Sequence, residues 1–366
     1  EAVLACERLA QVYWFLSRPE RLNFVAVRAL NLAETLGESP ALARICSGMG
    51  IGRGLAGLHP AAEFYMRRAL TMARGQGSRS ALATVEENAA LYFAGRGLWE
   101  RAMELLQDAA ACAYQVGDQR RWEECVGLQG VILSLRGRFA ESLALQEETI
   151  ASARQRGDMQ FQFHELSGLA ENALRLGRLD ESLAYLEEAA GLLPGGHGWV
   201  EEIRFYGIQA QTHLQQGEGA LARRAAYLAG ERIHKVQPAA FYSLEGYAGV
   251  SEAYLELWER DPAEGPELSL LAGQACRALL RFSRAFPIGE PRAFLHRGWA
   301  HWLAGNPQKA RAAWQASLSA AERLGMPYEQ ARAHDAIGRY LSDDEHRRLA
   351  NESFAHLRIP HATVWE

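Results

Sequence analysis

Lysine is almost missing from these 366 residues: Lys235 and Lys309 are the only two among 39 basic side chains, so 37 are arginine. The arginines are scattered rather than clustered, which fits the coding habit of a GC-rich, bacterial genome better than selection for bidentate contacts. No run approaches the ~20 apolar residues of a membrane span, and no signal-peptide pattern is visible. Cysteine is scarce. The five present are odd in number and lack paired spacing, which argues against a disulfide framework and points to a reducing, cytoplasmic compartment. Neither sign of charge dominates: the formal net charge is −5, unsuited to neutralising phosphate backbones. No membrane and no direct nucleic-acid partner is therefore expected. Position 1 is glutamate rather than methionine, so the chain is expected to be a fragment from which a targeting segment could have been removed.

What is present is a comb of glycines. Gly37, Gly57, Gly77, Gly97, Gly117, Gly137, Gly157 and Gly177 stand 20 residues apart, and Gly217 falls on the same grid. Glycine suits a helix end because the stop residue commonly takes positive φ. A 40-residue unit with two evenly spaced stops reads as a helical hairpin, repeated into an array whose units stack on their neighbours.

Position by position the repeat is stricter still. With Ser17, Gly57, Gly97, Gly137, Gly177, Gly217 and Gly305 as anchors, the residues seven before are Ala10, Gly50, Ala90, Gly130, Ala170, Ala210 and Gly298. Five after stand Leu22, Ala62, Ala102, Ser142, Ser182, Ala222 and Ala310; twelve after stand Ala29, Ala69, Ala109, Thr149, Ala189, Ala229 and Ser317. Small side chains at fixed points on both helices let the backbones approach while larger neighbours interdigitate. Cys6 and Cys46, one period apart, are expected to fill equivalent apolar slots.

These three columns resemble the tetratricopeptide repeat, a helix-turn-helix unit needing small residues at these places. The resemblance covers essentially the whole chain, with a period of 40 in place of about 34. It implies an all-α fold, a right-handed α-solenoid of about nine hairpins forming one domain over residues 1–366. Glu20, Glu100, Glu141 and Glu181 fall in first turns of second helices, where the helix dipole favours negative charge.

The grid slips once. Gly217 and Gly305 are 88 residues apart, two repeats plus about eight, and WERDPAEGPELS (Trp258 to Ser269) is the expected insertion in an irregular seventh repeat. LLPGGHG, ending at Gly198, predicts a longer, mobile connection. A final hairpin from about Tyr328, turning at Ser342-Asp343-Asp344, is the expected C-terminal cap, about 328–366.

Candidate chemistry is thin. Glu147-Glu148 and Glu187-Glu188 repeat with the period and read as one solvated face. The glycine-rich stretch Gly48 to Gly54 lies inside a predicted helix and lacks the lysine and hydroxyl residue of a nucleotide loop. No histidine pair has the four-residue spacing that presents two metal ligands on one helix face. Neither enzyme activity, cofactor nor metal is expected.

A groove remains. In tetratricopeptide arrays the first helices of successive units line the concave face. Projected onto this chain, that rule gives a row of Leu4, Arg44, Thr84, Glu124, His164, Arg204 and Arg292. A second row holds Gln11, Ile51, Leu91, Val131, Glu171, Gln211 and Trp299, extended at its ends by Trp14 and Trp302. Asn88 lies on the same face, but the lysines of the chaperone-type carboxylate clamp are missing. The rows do not repeat chemically, as a recognition surface should not; core packing and solvation are the alternative account of them. The segment AERLGMPYEQARAHDAIGRYL, Ala321 to Leu341, is similar to the closing repeat of bacterial signalling proteins. In those a regulatory ATPase precedes a long-helix tetratricopeptide sensor, often with a class III cyclase or a DNA-binding domain. That resemblance implies a sensor arm binding a peptide, a protein, a small effector or the parent protein's own ATPase domain. A scaffold or oligomerisation arm without ligand is the alternative, and an enzyme with a cryptic groove site the remote one.

Overall fold

The computed structural model describes residues 2–15, 18–35, 37–193, 196 and 198–360. Among them are eighteen α-helices and no strand, arranged as nine hairpins. The chain divides into two compact units, Glu1–Gln129 and Gly130–Glu366. Unit 1 holds α1 (Ala2–Phe15), α2 (Pro19–Glu34), α3 (Pro40–Leu55), α4 (His59–Gly75), α5 (Arg79–Gly95), α6 (Trp99–Gln115) and the start of α7 (Gln119–Leu135). Unit 2 continues with α8 (Phe139–Arg156), α9 (Met159–Arg175), α10 (Leu179–Leu192), α11 (Trp199–Gln215) and α12 (Gly219–Ile233). It ends with α13 (Leu244–Arg260), α14 (Gly265–Ala285), α15 (Glu290–Leu303), α16 (Pro307–Leu324), α17 (Pro327–Leu341) and α18 (Asp344–His356).

Local chemistry sets the boundaries. All nine glycines of the comb take φ between 69° and 79°, a region that costs a residue with a Cβ steric strain. Side chains of Ser39, Ser78, Asp158 and Asp343 accept the third backbone N–H of α3, α5, α9 and α18, satisfying donors that no intrahelical carbonyl reaches. The small-residue columns are contact points: Ala62, Ala102, Ser142, Ser182, Ala222 and Ala310 are all fully enclosed. Cys6 and Cys46 are both buried.

Around residues 258–269, where the insertion is expected, α13 ends at Arg260, Pro262–Glu264 make one 3-10 turn, and α14 begins at Gly265. At 21 residues α14 is the longest described helix and takes up part of the surplus. The cap hairpin α17–α18 turns at Ser342, which is left-handed at φ 55°. Pro194, Gly195 and His197 of the LLPGGHG connection lie outside the described residues, as does Ser17.

Unit 2 closes on itself. The Phe139 ring at the start of α8 meets Tyr328 of α17 edge-on, with centroids 6.0 Å apart. Ala331, Ala350, Phe354 and Ile359 complete that apolar cluster. The turn at Gly137 lies so close to the last hairpin that a Cβ there would stand 2.6 Å from Leu357 Cδ2.

Candidate recognition surface

The first helices of the hairpins in unit 2 converge, and their facing side chains are charged. Arg292 on α15 grips Glu329 on α17 with two bonds, Nε to Oε2 at 2.8 Å and Nη2 to Oε1 at 2.6 Å. Arg332 on α17 grips Glu252 on α13 in the same forked way, at 2.9 and 3.2 Å. Glu245, one helical stretch earlier on α13, accepts from Arg175 of α9 and, at 3.3 Å, from Arg292. Three guanidiniums thus alternate with three carboxylates, and their formal charges cancel. All three guanidiniums also lie against one ring: Tyr328 has Arg175, Arg292 and Arg332 at 4.7, 5.8 and 5.9 Å from its centroid. Such contacts favour cations over the π face once water is excluded.

Around this centre the network extends along the neighbouring helices. Arg204 on α11 donates to Glu171 on α9 at 3.0 Å. His164 Nδ1 lies 3.1 Å from Glu201, which also accepts from Tyr242 at 2.9 Å. Gln211 donates to Glu252 at 2.8 Å. Glu259 accepts from the Trp299 indole at 2.7 Å and from the Tyr340 hydroxyl at 2.8 Å.

Enclosure makes these charges costly, and pairing offsets the cost. Burial alone would raise the Glu252 carboxyl; the guanidiniums of Arg332 and Arg292 overcome it and hold Glu252 well below the ordinary range. Burial likewise works against Glu245, and Arg175 and Arg292 reverse it. Burial depresses His296 far below its usual value against the pull of Glu252, so its imidazole is neutral at physiological pH. Burial dominates at two other carboxyls: it raises Glu171 against the pull of Arg204, and the carboxyl of Glu165 is pushed up to about 7. Glu165 is the less well partnered of the two. Only one of its oxygens has a hydrogen-bond partner, Thr149.

Ser251 Oγ lies 2.6 Å from His296 Nδ1, whose other nitrogen is 3.8 Å from Glu252. The order resembles a hydrolase triad. Yet Ser251 and His296 are wholly enclosed, Ser251 Oγ also bonds the Ala248 carbonyl of its own helix, and Glu252 is already committed to Arg332. A substrate carbonyl has no approach in this conformation.

Of the residues expected on a concave face, His164, Glu171, Arg204, Gln211, Arg292 and Trp299 all belong to this network. Arg292 and Trp299 are 0% and 1% exposed, so they stand in a filled interior, with no open groove before them. Trp302 is partly exposed and packs against Trp314 and Tyr340 at centroid distances of 6.1 and 5.4 Å. In unit 1 the expected residues stay in separate local contacts. Arg44 is forked onto Glu7 at 2.9 and 3.0 Å, Asn88 donates to Ser47 at 2.9 Å, Glu124 accepts from Arg120 at 2.9 Å, and Leu91 is half-buried. The side chains of Gln11 and Trp14 lie outside the described part.

Sequence reasoning missed Arg175, Glu245, Glu252, Tyr328, Glu329 and Arg332. One signal was available. Arg44–Glu7, His164–Glu201 and Arg292–Glu329 are each 37 residues apart, a recurrent polar link between first helices of adjacent hairpins. Glu245 and Glu252 escaped notice because they sit in the seventh hairpin, where the glycine grid slips.

The sequence matches no protein-family model and no curated protein sequence. Solved structures do resemble the fold. One is the crystal structure of Rap protein complexed with competence and sporulation factor: TM-score 0.65, 11% identity, 97% of each chain covered. Another is the apo form of the quorum sensor NprR from B. thuringiensis: TM-score 0.57, 11% identity, 96% of this chain and 98% of that one. At that identity the likeness concerns the fold alone: this chain is a TPR-like helical repeat array. No helix among the described residues is long and apolar enough to cross a membrane.

Proposed function

We propose that this chain is a non-enzymatic sensor or protein-interaction module whose recognition surface is formed by the first helices of unit 2. The observation that carries this reading is the set of alternating arginines and carboxylates gathered there from α9, α13, α15 and α17, in which Arg292–Glu329 repeats the 37-residue link and is joined by Arg175–Glu245, Arg292–Glu245 and Arg332–Glu252. A repeat fold needs no such set for stability, because buried ion pairs are commonly no better than apolar residues of the same volume. Forked guanidiniums and carboxylates are, however, well suited to exchanging partners with a polar ligand. The ligand is a peptide, a protein segment or a small effector carrying charges of both signs. Entry requires the cap hairpin α17–α18 to part from the start of α8, since the network is enclosed. The solved neighbours, one in complex with a named factor and one a quorum sensor, support a sensing role. The wider reading, a cytoplasmic regulatory arm of a larger bacterial signalling protein acting on its own ATPase domain, rests on the Ala321 to Leu341 phrase.

The test is a fluorescence-polarisation screen of short synthetic peptides against the protein, followed by variants. Binding that falls at least tenfold in Gln211→Ala and in Glu252→Gln, and is unchanged in the outward-facing Glu187→Gln, is the expected result. Peptides that bind all three variants equally would remove the interior from consideration and leave the scaffold reading.

A further inference from the structure

The ionic interior of unit 2 is enclosed at Arg292, but one end of it reaches solvent. There the C-terminal ends of four first helices meet: α11 stops at Gln215, α13 at Arg260, α15 at Leu303 and α17 at Leu341. Glu259 in the last turn of α13 ties Trp299 of α15 to Tyr340 of α17, and Gln211 near the end of α11 reaches Glu252. Helix C-termini favour cations. Yet α13 carries Glu252, Glu256 and Glu259 here, at four- and three-residue spacing on one face, where like charges oppose helix formation. Arg260 donates to Glu256 at 2.7 Å and Arg339 stands 4.0 Å from Glu259; both arginines are exposed. Burial also raises the Glu256 carboxyl, against the pull of Arg260.

Unused acceptors border the same carboxylates. Gln211 is 3% exposed and gives its amide N–H to Glu252, while the carbonyl oxygen of that amide has no partner. Gln215, one turn further along α11, has an unpartnered buried carbonyl oxygen as well. The enclosed His296 Nε2 lies 3.8 Å from Glu252, also without a hydrogen bond. Buried acceptors without donors are costly. At the rim, partly exposed Trp302 packs on Tyr340 with centroids 5.4 Å apart.

We propose that this end of unit 2 is a subsite for an organic cation, a guanidinium or alkylammonium group, paired by Glu256 and Glu259, donating to the carbonyls of Gln211 and Gln215, and flanked by the Trp302 ring. The inference rests on the sensor reading above and names the positive part of its ligand. Side-chain exposures of 16% for Glu256 and 27% for Glu259 let the group reach them with the cap hairpin closed. It displaces Arg260 and Arg339, whose solvated pairs hold weakly, and gains charge-assisted bonds and a cation–π contact. A metal ion fits less well, because no three carboxylate, thiol or imidazole side chains among the described residues are placed to hold one.

The experiment titrates agmatine, which bears a guanidinium and an ammonium, into the 1–366 chain and follows tryptophan fluorescence. Arginine-containing peptides are compared with the same peptides carrying citrulline, neutral and of the same shape. Agmatine or the arginine peptides are expected to bind, and the citrulline peptides to bind more weakly. Affinity is expected to fall about tenfold in Glu259→Gln, whose carbonyl still accepts from Trp299 and Tyr340, and to stay unchanged in Glu187→Gln. Should Glu259→Gln lower the melting temperature, Glu256→Gln carries the same test. Agmatine binding without peptide binding keeps the subsite, with a free amine as its source, and removes peptides from the sensor reading. A citrulline peptide that binds as tightly as its arginine form, and still depends on Gln211, overturns the subsite and leaves that reading standing. No binding of either cation, or binding indifferent to both glutamate variants, also overturns it.

Discussion

Between α11 and α13 there is no room for a methyl group. A Cβ on Gly246 would stand 2.5 Å from the Ile203 carbonyl oxygen, and one on Gly249 would stand 2.2 Å from that of Gly207. Backbone atoms cannot rotate away as a side chain can. Gly246→Ala is therefore expected to cost at least about 1–3 kcal/mol by overpacking, read as a lower midpoint in urea; an unchanged midpoint would mean the helices do not cross so closely. Trp299 tests enclosure from the other direction. With its ring fully buried, Trp299→Ala is expected to cost about 3–5 kcal/mol, so its effect on binding has to be read beside its effect on folding. Glu165 gives a pH test. Its carboxyl titrates at about 7 in the folded chain against an ordinary 4.5, so between those values the folded state keeps a proton that the unfolded chain has lost. Its contribution to stability is complete below the lower value and is lost as pH rises through the upper one. Glu165→Gln is expected to raise the melting temperature at about pH 8 and to change it little at about pH 4. Equal effects at both would mean that the carboxyl is not held in its neutral form.

Helix pairs were the most legible part of the chain, and the reason is steric. Positive φ at a stop and close approach between paired helices each restrict residue type, so Gly57, Gly97 and Ala102 announce themselves on a fixed grid. Ala102→Leu and Ala222→Leu, at fully enclosed positions, are each expected to cost about 1–3 kcal/mol; unchanged thermal melts for both would deny that the columns are contacts. The ionic network was less legible because charge does not restrict residue type in that way. A buried arginine and a solvated one look alike until the partner helix is placed, and Glu245 and Glu252 lie where the register slips. Trp299 illustrates the same limit: its indole meets Glu259, which also binds Tyr340, and both partners come from helices two positions away in the array. Breaking one partner of the network is expected to be severe, with Arg332→Gln costing about 3–5 kcal/mol by stranding Glu252 among unbalanced neighbours. A loss below about 1 kcal/mol in chemical denaturation would place that pair in a solvated setting.

At the scale of the molecule, the two units differ in how they use their first helices. In unit 1 the polar residues of these helices form short, separate pairs such as Arg44–Glu7 and Asn88–Ser47. In unit 2 they join through Arg292 and Glu252 into one enclosed set, shut by Tyr328 and the cap hairpin. With this set closed, unit 2 corresponds on the proposed reading to the unliganded state of a sensor, and a ligand must exchange with ion pairs that already exist. The most direct measurement is hydrogen–deuterium exchange with and without a peptide from the binding screen. The account predicts that exchange changes along α9, α11, α13, α15 and α17, together with the α17–α18 hairpin, while α4 and α6 of unit 1 stay the same. Changes confined to the second helices of the hairpins, or to unit 1, would contradict it.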